Sequence, residues 1–278
     1  MLLKFADDTK LFGSVTSSGE QLSMQNDLST LLSWSVDWQM LFNIEKCKVM
    51  HFGHNNTLFD YQLEGRYLDK VTEDKDLGIV VSNDLKVSKH CSQAYAKANK
   101  LLGVISRTIV YKTSDILLQL YKSLVWPHLE YCILVRSPHY NRDKQLLETI
   151  QHRFTRMLPG MKELPYTQRP RKLGLWSLEA RRYRSDLIEV YKMLHGKSAV
   201  NFTDFFCVGW KWPYSRTLIS KLKKRRFNTD LRQHFFSERN VNLWNALDDD
   251  LVCSSSLNIF KSGLHKLWKN DSLPMDLL

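Results

Sequence analysis

The sequence predicts an α+β protein in which strands and carboxylates come first and helices and cations follow. Three observations carry that reading. Up to residue 85, short apolar runs alternate with turn residues, and from residue 86 onward apolar residues recur at three- and four-residue intervals. Residues 1–85 hold seven Lys/Arg against thirteen Asp/Glu, net −6, whereas residues 86–278 hold thirty-three against sixteen, net +17. The 278 residues are 43% hydrophobic and 12% aromatic, enough to bury a core and outside the composition of disordered chains.

The elements follow in order. Residues 2–5 and 9–15 read as two strands around Asp7-Asp8. Ser17 is an N-cap with Glu20 as its capping-box partner. Met24, Leu28, Leu31, Leu32 and Trp38 then recur at helical spacing, which predicts a helix over 18–40. Residues 42–52, 59–63 and 77–81 read as further strands. Ala94, Ala98, Leu101, Leu102 and Ile105 mark a helix face. Ser114 is a candidate cap for a helix carrying Leu117, Leu120, Leu124 and Leu129, with Pro127 kinking it or ending a turn. Asn141 is a candidate cap for a helix with Leu146, Leu147, Ile150, Phe154 and Met157 on its core face, closed by Pro159-Gly160. A helix over 177–195 ends at Gly196, and short helices follow near 230–246 and 256–269. The expected division is 1–85, 86–200 and a basic aromatic region 201–278.

No apolar run reaches the ~18 residues that a membrane span needs, and the start lacks a signal-peptide pattern. Five widely spread cysteines without a CxxC pair suit free thiols in a reducing compartment. The expectation is an intracellular chain, in nucleus or cytoplasm, neither secreted nor membrane-bound.

Adjacent carboxylates repel unless a cation lies between them, and Mg²⁺ is the hard cation that accepts carboxylate oxygens while leaving positions for phosphate. Asp7 and Asp8 are therefore candidate metal ligands. The bland alternative is a solvated Asp-Asp turn.

The context of the pair is informative. FADDTKL, followed by a helix ending WSVDWQMLFNIEKCKVMHFG, resembles the reverse transcriptase of non-LTR (LINE-type) retrotransposons. DLGIVVSNDL is similar to that family's primer-grip hairpin. LYKSLVWPHLEYC, LETIQHRFTRML and KLGLWSLEARRYRSDLIEVYKMLHG look like the thumb and adjoining region of jockey-like and chicken-repeat-like elements, and FFSERNVNLWNAL and FKSGLHKLW resemble their C-terminal tail. The ordered series spans nearly the whole chain.

The resemblance implies a partial palm, a helical thumb and RNA-directed DNA polymerase ancestry, with RNA and DNA as partners and no small-molecule cofactor beyond metal and nucleotides. It makes Asp7 and Asp8 catalytic metal ligands and Lys46 a lysine near the leaving pyrophosphate. It places Leu77 and Gly78 in the primer grip. Only six residues precede Asp7. In the family, the fingers and a further metal-binding aspartate lie before the pair, so the expectation is a chain inactive on its own. Departures at Arg136-Ser137-Pro138, Gln168-Arg169-Pro170, Arg184-Ser185-Asp186 and Leu247-Asp248 suggest a decaying copy.

Two cationic clusters are candidate nucleic-acid contacts. Residues 211–239 contain nine Lys/Arg and two Asp/Glu interleaved with Trp212, Tyr214, Phe227, Phe235 and Phe236, the cations and rings that single-strand binding uses. Lys221, Lys223, Lys224, Arg225 and Arg226 form its densest run, which also matches a nuclear-import signal. The second cluster is Arg169, Arg171, Arg181, Arg182 and Arg184. Three readings stay open: a polymerase fragment, a non-catalytic nucleic-acid-binding relic, and an inert helical interaction protein.

Overall fold

The computed structural model describes residues 1–207 and 221–269. The chain is α+β and divides into two units, Met1–Lys86 and Val87–Leu278. The first boundary lies beside the expected one at 85. The expected boundary at 200 falls inside the second unit, because residues on both sides of it share a core.

In the first unit, β1 (Leu2–Phe5) and β2 (Asp8–Leu11) form an antiparallel hairpin with Phe5 opposite Asp8. That leaves Ala6 and Asp7 as a two-residue turn, with Ala6 at φ +51°. The second strand stops at Leu11, short of the expected 15. α1 (Ser18–Asp37) starts as its sequence predicts: Ser17 caps it and Glu20 completes the capping box. It ends earlier than expected, and Trp38 lies beyond it, exposed. The hairpin meets α1 through Lys4, 4.2 Å over the Trp34 ring, and through Gly13, where a Cβ would lie 2.7 Å from Met24 Cε.

The expected strand over 42–52 is mostly absent. Ile44–Lys46 is a 3₁₀ turn, and only β3 (Lys48–Val49) is extended. Further on come β4 (Gln62–Leu63), β5 (Arg66–Tyr67), β6 (Asp69–Lys70), β7 (Glu73–Asp76) and β8 (Ile79–Ser82). They make separate two-stranded ladders: β3 with β6 in parallel, β4 with β5 and β7 with β8 antiparallel. No single palm-like sheet forms. Two of the ladders turn at Glu64-Gly65 and Leu77-Gly78, with positive φ at both residues of each pair. This is the type I′ geometry that matches strand twist. α1 completes the edge of β4 with a side chain. Gln25 Oε1 accepts from the Gln62 amide at 2.9 Å, and Gln25 Nε2 donates to the Gln62 carbonyl at 2.8 Å.

The second unit is helical: α2 (Ser88–Thr108), α3 (Ser114–Leu120), a π-turn (Tyr121–Val125), α4 (Trp126–Glu130), α5 (Ile133–Arg136), α6 (Asn141–Met157), α7 (Gln168–Lys172) and α8 (Leu178–Leu194). Beyond them lie α9 (Phe202–Phe205), α10 (Asp230–Gln233), α11 (Phe236–Arg239), α12 (Val241–Asn245), α13 (Asp249–Val252) and α14 (Leu257–Lys269). Thr113 and Tyr140, rather than Ser114 and Asn141, occupy the cap positions of α3 and α6. Pro127 sits in the first turn of α4, where its missing N–H costs nothing.

Two apolar clusters hold this unit together. The first joins α2, α3, the π-turn, α4 and α6 around Leu102, Leu117, Tyr121 and Phe154. The Tyr121 and Phe154 rings stack 3.9 Å apart, and Tyr121 Oη donates to buried Gln151 at 3.3 Å. The second gathers Leu187, Val190 and Tyr191 of α8 with Phe206, Phe236, Trp244 and Phe260. Each such ring or aliphatic chain taken out of water contributes about 1.5–3 kcal/mol. A buried ion pair locks the second cluster: Arg239 Nε and Nη2 donate to Asp186 at 2.7 and 3.0 Å. Burial nonetheless pushes the Asp186 carboxyl up, so the pair specifies geometry more than it adds stability.

Candidate nucleic-acid interface

Asp7 and Asp8 sit at the tip of the first hairpin, one in the turn and one opening β2, both exposed. Among the described residues, no group of three or more His, Cys, Asp or Glu is placed to hold a metal ion. Two neighbouring carboxylates without a third do not make the donor set that a catalytic Mg²⁺ pair requires. Lys46 is exposed in the 3₁₀ turn instead of on a strand. Leu77 and Gly78 form the β7–β8 turn, with φ of +44° and +82°; Leu77 is not in β8, as the sequence suggested.

Burial removes part of the expected arginine cluster. Arg169 is 6% exposed, and its Nε donates to the Leu164 carbonyl at 2.7 Å. Arg182 is 4% exposed, and burial lowers its pKa. Neither reaches a phosphate from where it lies. Arg181 forks onto Glu130, with Nη2 at 2.8 Å from Oε2, and its guanidinium lies 3.8 Å over the Trp126 ring. Arg184 is half-buried, 5.7 Å from the Trp176 ring. Arg171 is exposed. This cluster is chiefly structural: Arg181 ties α8 to α4, and Arg169 fastens α7 to the loop before it.

The basic run is partly consumed as well. Leu222 is buried in the second cluster, and its amide and carbonyl both bond the Asn245 side chain, at 2.8 and 2.9 Å. Lys221 donates to the Asn245 carbonyl at 2.8 Å and Lys224 to Asn242 at 3.3 Å. Arg225 contacts Cys207 Sγ at 2.9 Å. Lys223 and Arg226 are exposed. Phe236 belongs to the core, whereas Phe235 stays 44% exposed. Trp212 and Tyr214 lie outside the described residues.

The most uniform cationic surface is one that the sequence reading passed over. From Leu85 to Ser114 the chain contains six Lys/Arg and no Asp/Glu. At roughly 100° per residue, Lys89, Lys100 and Arg107 fall within about 20° of one another around α2. That line is opposite the face that buries Ala94, Ala98, Leu102 and Ile105. α6 lies parallel to α2. Ser88 donates to Asp143 at 2.5 Å near the start of both helices, and Arg153 donates to Asn99 at 2.5 Å farther along. Arg142, Arg153 and Arg156 are exposed on α6.

The carboxylates of α6 point elsewhere. Asp143 is buried. Glu148 accepts from the Tyr166 hydroxyl and from the Leu178 amide, the latter at 3.0 Å, and burial raises its pKa. Lys97, Lys100, Arg107, Arg142 and Arg156 make no ion pair or hydrogen bond among the described residues. The signal was available in the sequence: a long acid-free stretch whose cations share a helical period.

Among the described residues, no helix is long and apolar enough to cross a membrane. No family model, no curated protein and no solved structure matches the chain.

Proposed function

We propose that the chain is a non-catalytic nucleic-acid-binding protein derived from the RNA-directed DNA polymerase of a non-LTR retrotransposon. The observation that carries the binding half is the outward face of α2 and α6, where every exposed ionisable group is a cation or a histidine and both α6 carboxylates are turned inward. Such a face draws in a polyanion and releases the counterions condensed on it. The ancestry half is supported by the order of the motifs: an Asp-Asp hairpin tip, a capped helix, a Leu-Gly hairpin tip, then helices. The same chemistry argues against turnover, because a Mg²⁺ pair would need oxygen ligands beyond Asp7 and Asp8.

The test is binding of the full chain to a labelled oligonucleotide, RNA and DNA, across a salt series. Contacts with about six phosphates give a log–log slope near −4 on a single strand. Reversing Lys97, Lys100 and Arg153 to Glu should flatten that slope by about 2. Absent or salt-independent binding would remove the reading. Extension of a primer on RNA with Mg²⁺ and deoxynucleotides, lost in Asp7→Ala, would overturn its non-catalytic part.

A further inference from the structure

The loop that leaves α2 carries the two most exposed large apolar side chains among the described residues, Val110 at 83% and Tyr111 at 80%. Ile109 next to them packs against the first core and anchors the loop. Arg107 and Lys112 flank them, both exposed. Among the described residues, Tyr111 makes no ring contact and no hydrogen bond. Among the described residues nothing covers this ring, which stands beside Val110 as an adjacent exposed apolar pair.

Its position indicates what would cover it. Lys89, Lys100 and Arg107 line one face of α2 over eighteen residues, about 27 Å at the ~1.5 Å rise per residue of a helix. The row's last cation, Arg107, lies in the final turn of α2, and Tyr111 follows three residues after the helix ends. A phosphate backbone following these cations delivers a base to the ring, and base–aromatic stacking needs no particular sequence. Inside a duplex both faces of every base are covered by neighbours, so the ring finds a free face only on an unpaired base or at a duplex end.

Resting on the nucleic-acid reading above, we propose that Tyr111 is a base-stacking post at the end of the α2 cation row. The chain then takes nucleic acid bearing unpaired bases, as a single strand or an overhang, in preference to blunt duplex. The charge of the face favours this ligand. α2 and the loop present a cationic row with two apolar side chains at its end, whereas an interfacial membrane helix carries an apolar face along its length.

The experiment compares the full chain and two variants, Tyr111→Ala and Tyr111→Trp. Each is titrated, at one salt concentration, against a labelled 12-nucleotide single strand and a blunt duplex of about 200 base pairs, whose ends are a small fraction of its binding sites. Tyr111→Ala should weaken single-strand binding by about 5- to 100-fold. Duplex binding should stay within about twofold and the salt slope should not change, because no charge is lost. Tyr111→Trp should restore the preference.

Equal losses on both ligands, or no loss on either, would overturn the proposal while leaving the nucleic-acid reading intact. Failure of the unaltered chain to bind either ligand would end both. In that case, Tyr111-dependent binding to phosphatidylserine vesicles would assign the loop to a membrane surface instead.

Discussion

The two units differ in what holds them. The first has 86 residues, of which seven are buried, and no contiguous apolar cluster. Its shape comes from local devices: a capping box, three two-residue hairpin turns, a glutamine bonded along a strand edge, and exposed ion pairs such as Lys48–Asp74 at 2.8 Å. Each contributes about 1 kcal/mol or less. The second unit has two cores, and nearly every long helix feeds one of them. Turn chemistry and caps can set local geometry, but a domain's free energy comes from apolar layers closing on each other. β1 shows the deficit most plainly: Leu2, Leu3 and Phe5 are exposed, so both faces of the strand meet water.

The sharpest test of that contrast is a pair of truncations. Phe154→Ala should cost the second unit about 3–5 kcal/mol, because it opens a cavity beside Tyr121. Phe5→Ala, at 62% exposure, should change stability by less than about 0.5 kcal/mol. Denaturant titration of both variants reads the difference; equal costs would mean the first unit has a core after all.

A smaller effect is expected at Gln25. Its replacement by Ala removes two bonds to the Gln62 backbone, about 1–2 kcal/mol together. Faster hydrogen exchange at the Gln62 amide, with the second unit's amides unchanged, would show that the loss is local. Leu77→Asn should act in the other direction. Leucine is strained at φ +44° where asparagine is at ease. A gain of about 0.5–1 kcal/mol is expected by the same titration.

The smallest effect is read in acid, where the first unit has one such histidine, His51, and the second has three. Burial lowers the pKa of His90, His152 and His234, and Arg136 and Lys97 add to it at His90. The folded state resists a proton that the unfolded chain accepts near its ordinary value of about 6.5. Stability is therefore full above that pH and is lost as pH falls below it. The histidines should lower the melting temperature of the second unit between pH 7 and pH 5, opposed by Glu148 and Asp186, whose raised pKa favours folding as pH falls; His90→Gln should remove part of the histidine contribution.

The same contrast decides how much was legible in the sequence. α2, α6 and α8 were readable because burial at three- and four-residue intervals leaves an apolar signature. The strands were readable only in part: β1, the start of β2 and most of β8 lie where expected. β3 to β6 are two residues long with few buried side chains, so no alternation exists to be read. At the candidate site, charge was legible and burial was not. Arg169 and Arg182 look in sequence like the exposed arginines beside them, and only packing turns them inward. The α2 row was missed for the opposite reason: its cations are spaced out, and attention goes to runs.

The π-turn has a consequence for chain length. In an unbroken α-helix a four-residue step overshoots a full turn by about 40°. Three such steps separate Leu117 from Leu129, so Leu129 would point about 120° away from Leu117. Yet Leu117, Tyr121, Val125 and Leu129 are all within 5% of full burial. The wider turn, in which the Trp126 amide reaches back to the Tyr121 carbonyl, absorbs the drift. The stretch carries one residue more than a plain helix would need, and the wide turn holds it without putting the second half out of phase. Deleting one residue there would leave eleven steps between Leu117 and Leu129, within about 20° of whole turns, so a plain helix would keep Leu129 in the core. Adding one would swing it out, so this part of the gene can lose a residue more safely than it can gain one.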